Sequence, residues 1–309
     1  MRSECVAAMD LGGTNVRLGI VDSRGRVLRR RRVRMARLAA KEELYAWLGG
    51  LLADFIAAGR EAPRLRCAAV GFAGYGKPQA GTVYYAPNVG GFTDLDLGRQ
   101  LERRLGLRVV IENDANCAAL GEYWRGAGRG SSSLFIFTLG TGVGGGFVVD
   151  GKVWHGEDGI AGEVGHTIVM AGGPRCSCGR SGCLEALVSA TALIRDYAEA
   201  AGGRKAARAT TAKAVVALAK AGDRTARAVV DRSARALGIG IANVFHLLNP
   251  EVILVGGGVS RAGSILLGPA VVEARSLVIP QLRKRLVVKR TVLGDDAGIL
   301  GAAYVGLGA

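Results

Sequence analysis

The sequence predicts an α/β protein with mixed sheets, built in two halves. Short apolar runs of strand length alternate with longer runs in which apolar residues recur at helical spacing. One strand–turn–strand unit lies near Gly12 and another near Gly142, and each is followed by further strands and helices. The chain of 309 residues is long enough for two domains of ordinary size. These observations together suggest a duplicated architecture.

The first half is predicted to begin with a hairpin and to end with a strand that leads into a helix. Gly12-Gly13-Thr14 would form the tip of the hairpin. The glycine- and proline-rich segment up to Asn88 is expected to be loop and hairpin. The predicted elements are strands over residues 6–10, 16–21, 27–33, 65–72 and 108–111, and helices over residues 41–58, 95–105 and 115–123.

The second half is predicted to be mainly helical after Cys183. Gly202-Gly203 and Gly222-Asp223 are expected to break the helices, and Pro250 to end them. The predicted elements are strands over residues 134–138, 146–149, 152–154, 252–255 and 286–293, and helices over residues 184–201, 211–248, 266–282 and from residue 296 onward.

The chain carries a formal charge of +15, and its densest basic block, Arg24 to Arg37, contains eight arginines. One interpretation is a surface for nucleic acid or another polyanion. We favour the other interpretation, a solvated edge strand, because the block has no aromatic residue on which a base could stack. We therefore expect no nucleic-acid partner, and the role of the block stays open.

Composition also bears on the compartment. No apolar run is both long enough and free enough of charge to span a bilayer, so no membrane association is expected. The first residues pass into an apolar strand without the apolar core of a signal peptide. Cys5, Cys67 and Cys117 stand isolated among apolar residues, as buried free thiols do. We expect a cytoplasmic protein.

Three glycine turns, each after an apolar strand, predict a site for a triphosphate nucleotide. At Gly12-Gly13 the backbone N–H groups can converge on an anion without obstruction by a Cβ atom. Thr14 adds a hydroxyl, and Asp10 can hold the water shell of a magnesium ion. Taken alone, this could be a plain hairpin turn. The similar turns at Thr141-Gly142 and at residues 256–258 favour the nucleotide interpretation.

Asp114 lies where a predicted strand ends and a helix begins. Its structural interpretation is the N-cap of that helix, a position that aspartate fills well. Its functional interpretation is a general base that takes the proton from a hydroxyl attacking a γ-phosphate. Asn113 and Asn88 would then be natural partners for sugar hydroxyls.

A cluster of four residues predicts a structural zinc site. His166, Cys176, Cys178 and Cys183 offer one imidazole and three thiolates, a complete tetrahedral set with no open position. Gly179 and Gly182 would allow the tight turn that the cysteine spacing demands; the alternative is three unpaired thiols brought together by chance. Glu163 and Glu185 flank the cluster, so the metal would brace a loop that offers two carboxylates and an imidazole edge to a substrate.

These residues belong to five motifs that together resemble the ROK family (repressors, open reading frames, kinases). The resemblance runs in order from about residue 5 to the C-terminal Gly294-Asp295-Asp296-Ala297-Gly298, over nearly the whole chain. The motifs are Asp10-Leu11-Gly12-Gly13-Thr14, Glu112-Asn113-Asp114-Ala115-Asn116, Gly140-Thr141-Gly142-Val143-Gly144-Gly145-Gly146, Gly162-Glu163-Val164-Gly165-His166, and Cys176-x-Cys178-Gly179-x-x-Gly182-Cys183-Leu184-Glu185.

The resemblance implies the actin-like ATPase fold, of ribonuclease H type, with two α/β lobes and mixed sheets around a central cleft. Residues 1–114 with 296–309 are expected to form a small N-terminal lobe, and residues 115–295 a large C-terminal lobe with the zinc site and the helices. The lobes would close on ATP and a hexose, with magnesium. Members of the family are usually dimers or tetramers, so a homodimer or homotetramer is expected.

The resemblance also implies roles for individual residues. Asp114 would be the catalytic base. The sugar would contact Gly74, Asn88, Asn113, Glu163, His166 and Glu185. The nucleotide site would comprise Asp10, Gly12, Gly13, Thr14, Thr141, Gly142, Gly257 and Gly258, the last two facing the adenosine.

Two segments depart from the family pattern. Ala73-Gly74-Tyr75 stands where the family commonly has Pro-Gly-Pro, and residues 88–92 read Asn-Val-Gly-Gly-Phe where it commonly has Asn-x-Pro-Gly-Trp. Both segments would border the sugar, so they bear on which hexose is used.

The predicted function is therefore an ATP-dependent hexose kinase that converts glucose to glucose 6-phosphate. Fructose, mannose, allose or N-acetylmannosamine are alternative substrates, and polyphosphate is an alternative phosphate donor. A repressor of the same family would need a DNA-binding domain before the first strand, which begins near residue 4. A sugar sensor without activity is disfavoured by the intact Asp10, Thr14 and Asp114.

Overall fold

The computed structural model describes residues 4–59, 64–87, 89–202 and 209–308. Its strands are β1 (Cys5–Leu11), β2 (Asn15–Asp22), β3 (Val27–Arg34), β4 (Leu65–Phe72), β5 (Tyr75–Lys77), β6 (Thr82–Ala86), β7 (Phe92–Leu95), β8 (Val109–Asn113), β9 (Ser133–Leu139), β10 (Val143–Val149), β11 (Lys152–Val153), β12 (Val252–Gly256) and β13 (Val288–Arg290). Its α-helices are α1 (Lys41–Ala57), α2 (Leu97–Leu105), α3 (Asp114–Arg125), α4 (Glu185–Val188), α5 (Ala190–Ala201), α6 (Ala212–Lys220), α7 (Arg224–Leu248), α8 (Ser264–Leu277) and α9 (Ala297–Leu307).

Contacts divide the chain into two compact units. Unit 1 comprises residues 1–132, 146–161 and 292–309, and unit 2 comprises residues 133–145 and 162–291. The predicted division into residues 1–114 with 296–309 and residues 115–295 stays a prediction.

The main sheet of unit 1 is mixed, as predicted. Its strand order is β3-β2-β1-β4-β8. The hairpin strands β1 and β2 are antiparallel, whereas β4 runs parallel to β1 and β8 runs parallel to β4. In the register of these parallel strands Leu11 pairs with Phe72, and Phe72 pairs with Asn113. The carboxyl ends of three neighbouring strands therefore coincide at one edge of the sheet.

Both faces of this sheet are covered by apolar side chains. Along β1, Ala7 and Met9 join the cluster that also contains the buried residues of α1, while Val6 and Ala8 join the cluster that contains α9. This alternation is the period of two expected of a strand buried on both faces. Helices α9 and α3 pack closely, since a Cβ atom on Gly301 would overlap the backbone carbonyl of Cys117. The C-terminal helix thus belongs to the core of unit 1.

In unit 2, three strands are parallel and bring two glycine turns together. Strand β12 pairs with β9 on one side and with β13 on the other. Gly256, at the end of β12, is paired with Thr138, near the end of β9. The turns that follow, at residues 140–142 and 256–258, therefore lie at one edge of these strands.

The arginine block occupies the strand at one edge of the first sheet, as the solvated-strand interpretation predicts. Strand β3 stands first in the strand order, and most of its residues are exposed. Arg29 stacks on the ring of Phe55 and donates to backbone carbonyls at the end of α1. Arg30 pairs with Asp296 at 3.1 Å and Arg32 with Asp295 at 3.8 Å. Part of the positive charge is thus balanced within the chain.

The structure corrects several predicted elements. The helix predicted over residues 266–282 ends at Leu277, because Pro280 lacks the amide hydrogen that would continue it. The strand predicted over residues 286–293 is reduced to Val288–Arg290. The short strand Phe92–Leu95 was not predicted. Helix 184–201 is interrupted at Ser189, which has extended backbone and caps α5.

Among the helices of the described residues, none has the length and apolar character that crossing a membrane requires.

Candidate active site

Unit 1 brings several predicted site residues to the shared carboxyl edge of β1, β4 and β8. The turn of residues 12–14 follows β1, Gly74 follows β4, and Asp114 follows β8. Because neighbouring strands are about 4.8 Å apart, the ends of β1 and β8 are separated by about 10 Å. Ligands of open α/β sheets commonly bind at such an edge. This edge is the candidate active site within unit 1.

Asp114 is the first residue of α3, and Asn113 is its N-cap. The side-chain oxygen of Asn113 accepts hydrogen bonds from the backbone N–H groups of Ala115 and Asn116, at 2.8 and 3.2 Å. The structural interpretation of Asp114 as the N-cap is therefore wrong. The amide nitrogen of Asn113 donates to the carbonyl of Gly74 at 3.1 Å, so its side chain connects the ends of β8 and β4.

Gly74 is required by close packing. A Cβ atom at this position would lie 2.5 Å from the carbonyl oxygen of Tyr85. The next residue, Tyr75, stacks on Tyr85 with ring centroids 6.5 Å apart. The departure from the family's Pro-Gly-Pro turn thus puts an aromatic pair beside Gly74. Asn88, the other predicted sugar contact in this half, lies outside the described residues.

Asp10 forms an ion pair next to the first glycine turn. Arg17 donates to one carboxylate oxygen of Asp10 at 3.1 Å and to Asp295 at 3.1 Å. Burial raises the pKa of Asp10, and the Arg17 guanidinium acts in the opposite direction. In the turn itself, the N–H of Gly12 donates to the carbonyl of Asn15 at 3.1 Å. Residues 13 and 14 are exposed, so the Thr14 hydroxyl is accessible to a ligand.

A pair that the sequence did not reveal joins Glu112, two residues before Asp114, to His155. The Nε2 atom of His155 is 2.8 Å from Oε2 of Glu112, whose side chain is 5% exposed. The hydrogen bond to Glu112 raises the pKa of His155, although burial acts in the opposite direction. The two residues are separated by 43 positions, and His155 belongs to no recognisable motif. A sequence signal for this contact is therefore absent.

Unit 2 positions the two other glycine turns. Gly257 has a φ of 85°, and a Cβ atom there would overlap the backbone of Leu139 at the end of β9. The Gly140 N–H donates to the carbonyl of Gly142 at 2.9 Å and closes the turn around Thr141. The turns at Thr141-Gly142 and Gly257-Gly258 are thus held against the ends of adjacent strands, as a phosphate and adenosine site would need.

The four predicted metal ligands also lie together in unit 2. Their donor atoms, from His166, Cys176, Cys178 and Cys183, are all within 4.8 Å of one another. The sulfurs of Cys178 and Cys183 are 3.7 Å apart, as are the sulfur of Cys176 and Nδ1 of His166. A tetrahedral zinc ion about 2.3 Å from its thiolate ligands would separate two sulfurs by about 3.8 Å. The donor set therefore fits zinc.

Two glycines of the cysteine knuckle, the segment of residues 176–183, adopt the tight-turn backbone that the cysteine spacing predicts. Gly179 and Gly182 have φ angles of 89° and 81°, a region that favours glycine. A Cβ atom on Gly182 would also overlap the carbonyl of Met170. The tight turn thus depends on both residues.

Glu185 joins the cysteine knuckle to the second glycine turn. One of its carboxylate oxygens accepts from the Ser177 hydroxyl at 2.9 Å, and the other accepts from the Val143 N–H at 3.0 Å. Burial raises the pKa of Glu163 to about 7, and the nearby negative charge of Glu185 contributes to this rise. A carboxyl group that is partly protonated near neutral pH can both donate to and accept from hydroxyl groups.

Comparison with known proteins gives consistent matches over three quarters of the chain or more. The family model described as ROK family matches residues 6–308. A glucokinase from Thermotoga maritima is 37% identical, with 96% of this chain and 95% of that protein covered. A glucokinase from Halalkalibacterium halodurans is 41% identical over 76% of this chain and 74% of its own length. A solved ROK family glucokinase from Streptomyces griseus, in complex with glucose and AMPPNP, has a TM-score of 0.85 at 34% identity and covers 99% of this chain and 100% of its own.

Proposed function

The chain belongs to the ROK family, and we propose that it phosphorylates glucose to glucose 6-phosphate with ATP. It is an ATP-dependent sugar kinase with the actin-like ATPase fold of this family, as its similarity to glucokinases and to a kinase solved with glucose and AMPPNP indicates. The choice of glucose among hexoses is our proposal. It is supported by the glucokinase relatives at 37 and 41% identity.

Asp114 is the proposed general base. Phosphoryl transfer mainly requires positioning and charge neutralisation, so a single carboxylate can remove the proton from the attacking hydroxyl. The observation that carries this role is the position of Asp114 at the first residue of α3, with Asn113 providing the helix cap. Asp114 Oδ1 also accepts from the Ala115 N–H at 2.9 Å, but the two hydrogen bonds of the cap are made by the Asn113 side chain.

The remaining predicted residues would bind the substrates. Gly13 and Thr14 would meet the phosphates with N–H and hydroxyl donors. Gly12, whose N–H is taken by the Asn15 carbonyl, would let the phosphates approach without a Cβ atom in the way. Asp10 would hold magnesium through its water shell. Magnesium would neutralise charge on the phosphates. The other proposed contacts are Thr141, Gly142, Gly257 and Gly258 for the nucleotide, and Gly74, Asn88, Asn113, Glu163, His166 and Glu185 for the sugar.

The proposed zinc is structural. Its four protein ligands fill a tetrahedral set, which leaves no position for a reacting group. The Ser177–Glu185 and Glu185–Val143 hydrogen bonds connect the cysteine knuckle to the glycine turn. Zinc would thereby stiffen a segment that carries proposed contacts to both substrates. A cytoplasmic location and a homodimer or homotetramer remain predictions.

The function is tested by incubating the purified protein with Mg-ATP and a panel of hexoses and N-acetylhexosamines while ADP release is followed. We expect turnover, with the highest kcat/KM for glucose. A higher kcat/KM for fructose, mannose, allose or N-acetylmannosamine would correct the substrate and leave the reaction type intact. Turnover only when polyphosphate replaces ATP would correct the donor. Absence of turnover under both conditions would overturn the proposed function.

Replacing Cys178 with serine is expected to release the metal and lower the melting temperature. Serine is a poor zinc ligand, and metal binding energy is coupled to folding. The measurement is zinc content by emission spectroscopy, combined with thermal unfolding of the same samples. The control for zinc content is Cys67→Ser, because Cys67 lies outside the cluster and its thiol donates to the carbonyl of Gly306. Equal zinc content in both variants would contradict the assigned site.

A further inference from the structure

The proposed base is preceded by a buried carboxylate that binds neither substrate in the proposed reaction. Glu112 is 4% exposed and is the penultimate residue of β8. Removing a carboxylate from water is costly unless hydrogen-bond donors replace the water. The partners of Glu112 therefore show what its burial achieves.

The Glu112 carboxylate binds a residue on each side of Asp114, one through its backbone and one through its side chain. Its Oε1 atom accepts from the backbone N–H of Asn113 at 2.8 Å and from the side-chain amide of Asn116 at 2.9 Å. Asn113 comes directly before Asp114, and Asn116 lies in the first turn of α3. The carboxylate thus fixes the corner between strand and helix from which Asp114 projects.

The second oxygen, Oε2, is held by His155. The Nε2–Oε2 distance is 2.8 Å, and the His155 side chain is 21% exposed. The backbone around His155 is itself anchored, because the Trp154 N–H donates to Phe147 at 2.8 Å and the Ala161 N–H donates to the His155 carbonyl at 2.9 Å. The imidazole therefore approaches Glu112 from a fixed position.

We propose that the His155–Glu112 pair positions Asp114 for phosphoryl transfer, which makes His155 and Glu112 positioning residues of the reaction. The inference rests on the proposed function, because it assumes that Asp114 is the base. Without the imidazole, Oε2 would lose its partner and the carboxylate would turn toward water. Its hydrogen bonds to Asn113 and Asn116 would then weaken. A displacement of about 1 Å at a reacting group can cost about a hundredfold in rate.

The chain permits a test with two similar substitutions. In His155→Gln the side-chain nitrogen can take the place of Nε2 and still donate to Glu112. In His155→Asn the side-chain nitrogen corresponds to Nδ1 of the imidazole and is too far from Oε2 of Glu112 to donate to it. We expect His155→Asn to lower kcat by about ten- to a hundredfold with little change in KM for ATP. We expect His155→Gln to keep most of the wild-type kcat. The matched control is His246→Asn, since His246 lies at the end of α7 and contacts only the Ile279 N–H, at 3.3 Å, among the hydrogen bonds found for the described residues.

Coupling to the base is measured in the Asp114→Asn background. If His155 acts through Asp114, adding His155→Asn should lower kcat by less than about twofold more. Thermal unfolding is followed in parallel, and kcat is compared below every transition. Equal kcat in the Gln and Asn variants, or a full further loss in the Asp114→Asn background, would overturn the inference while wild-type turnover stands. Absence of turnover in the wild type would overturn the proposed function, and the inference with it.

Discussion

The Asp114→Asn variant is expected to lose kcat by about 10²–10⁴, the usual contribution of a general base, while it keeps its affinity for the sugar. Asparagine has nearly the same shape as aspartate but cannot take the proton from the attacking hydroxyl. The structure makes this substitution a clean test. Because Asn113 caps α3 through two backbone N–H groups, the helix keeps its N-terminus when Asp114 changes.

The measurement combines kcat with the sugar Kd and the zinc content of the same preparation. The matched control is Asp54→Asn, because Asp54 is an exposed aspartate of α1 in the same unit. We expect the control to retain wild-type kcat. A loss of less than about tenfold in Asp114→Asn would contradict the assignment of the base. Loss of sugar binding together with kcat would indicate a binding role for Asp114.

The parts of the site that could be predicted are those determined by residues close together in the sequence. The spacing of Cys176, Cys178 and Cys183 restricts them to one tight turn, and the glycines between them report the backbone that the turn requires. The same holds for the ends of β1, β4 and β8, where apolar runs stop at glycine or at a capping residue. For such features, side-chain type and backbone geometry are determined by the same few residues.

The N-cap of α3 is a feature that the local sequence could not predict. Asn113 and Asp114 are adjacent, and both residue types cap helices well. The sequence alone cannot decide between them, because a shift of one residue changes neither the apolar pattern nor the propensity. In the structure the extended backbone of Asn113 and its two hydrogen bonds settle the choice. The consequence is functional, since the N-cap of α3 is a different residue from the proposed base.

Buried carboxylates show a different limit. Glu112 meets His155 across 43 positions, and Glu122 meets Val292 across 170. Nothing in the sequence near either glutamate distinguishes it from an exposed one. Such contacts follow from how the elements pack, so they become visible only when the fold is known.

Replacing Glu122 with alanine is expected to be the most destabilising of these substitutions. Glu122 is 0% exposed. Its Oε1 atom accepts from the backbone N–H groups of Val292 and Leu293 at 3.0 and 2.9 Å, and its Oε2 atom accepts from Ala127 at 2.7 Å. Alanine would leave these donors without their acceptor and would also leave a cavity. We expect the free energy of unfolding to fall by about 3–5 kcal/mol.

The same residue type provides the control for that prediction. Glu102 accepts one backbone hydrogen bond, from Val109 at 2.9 Å, and it is only partly buried. Water can replace that bond, so Glu102→Ala should cost about 1 kcal/mol. The free energies of unfolding of the two variants are compared by urea and thermal unfolding. The result also bears on the proposed base, because Glu122 lies in the last turn of α3 and Asp114 begins that helix. If Glu122→Ala costs no more than Glu102→Ala, the buried carboxylate does not anchor α3, and the support of the proposed base must come from its other end, at Glu112.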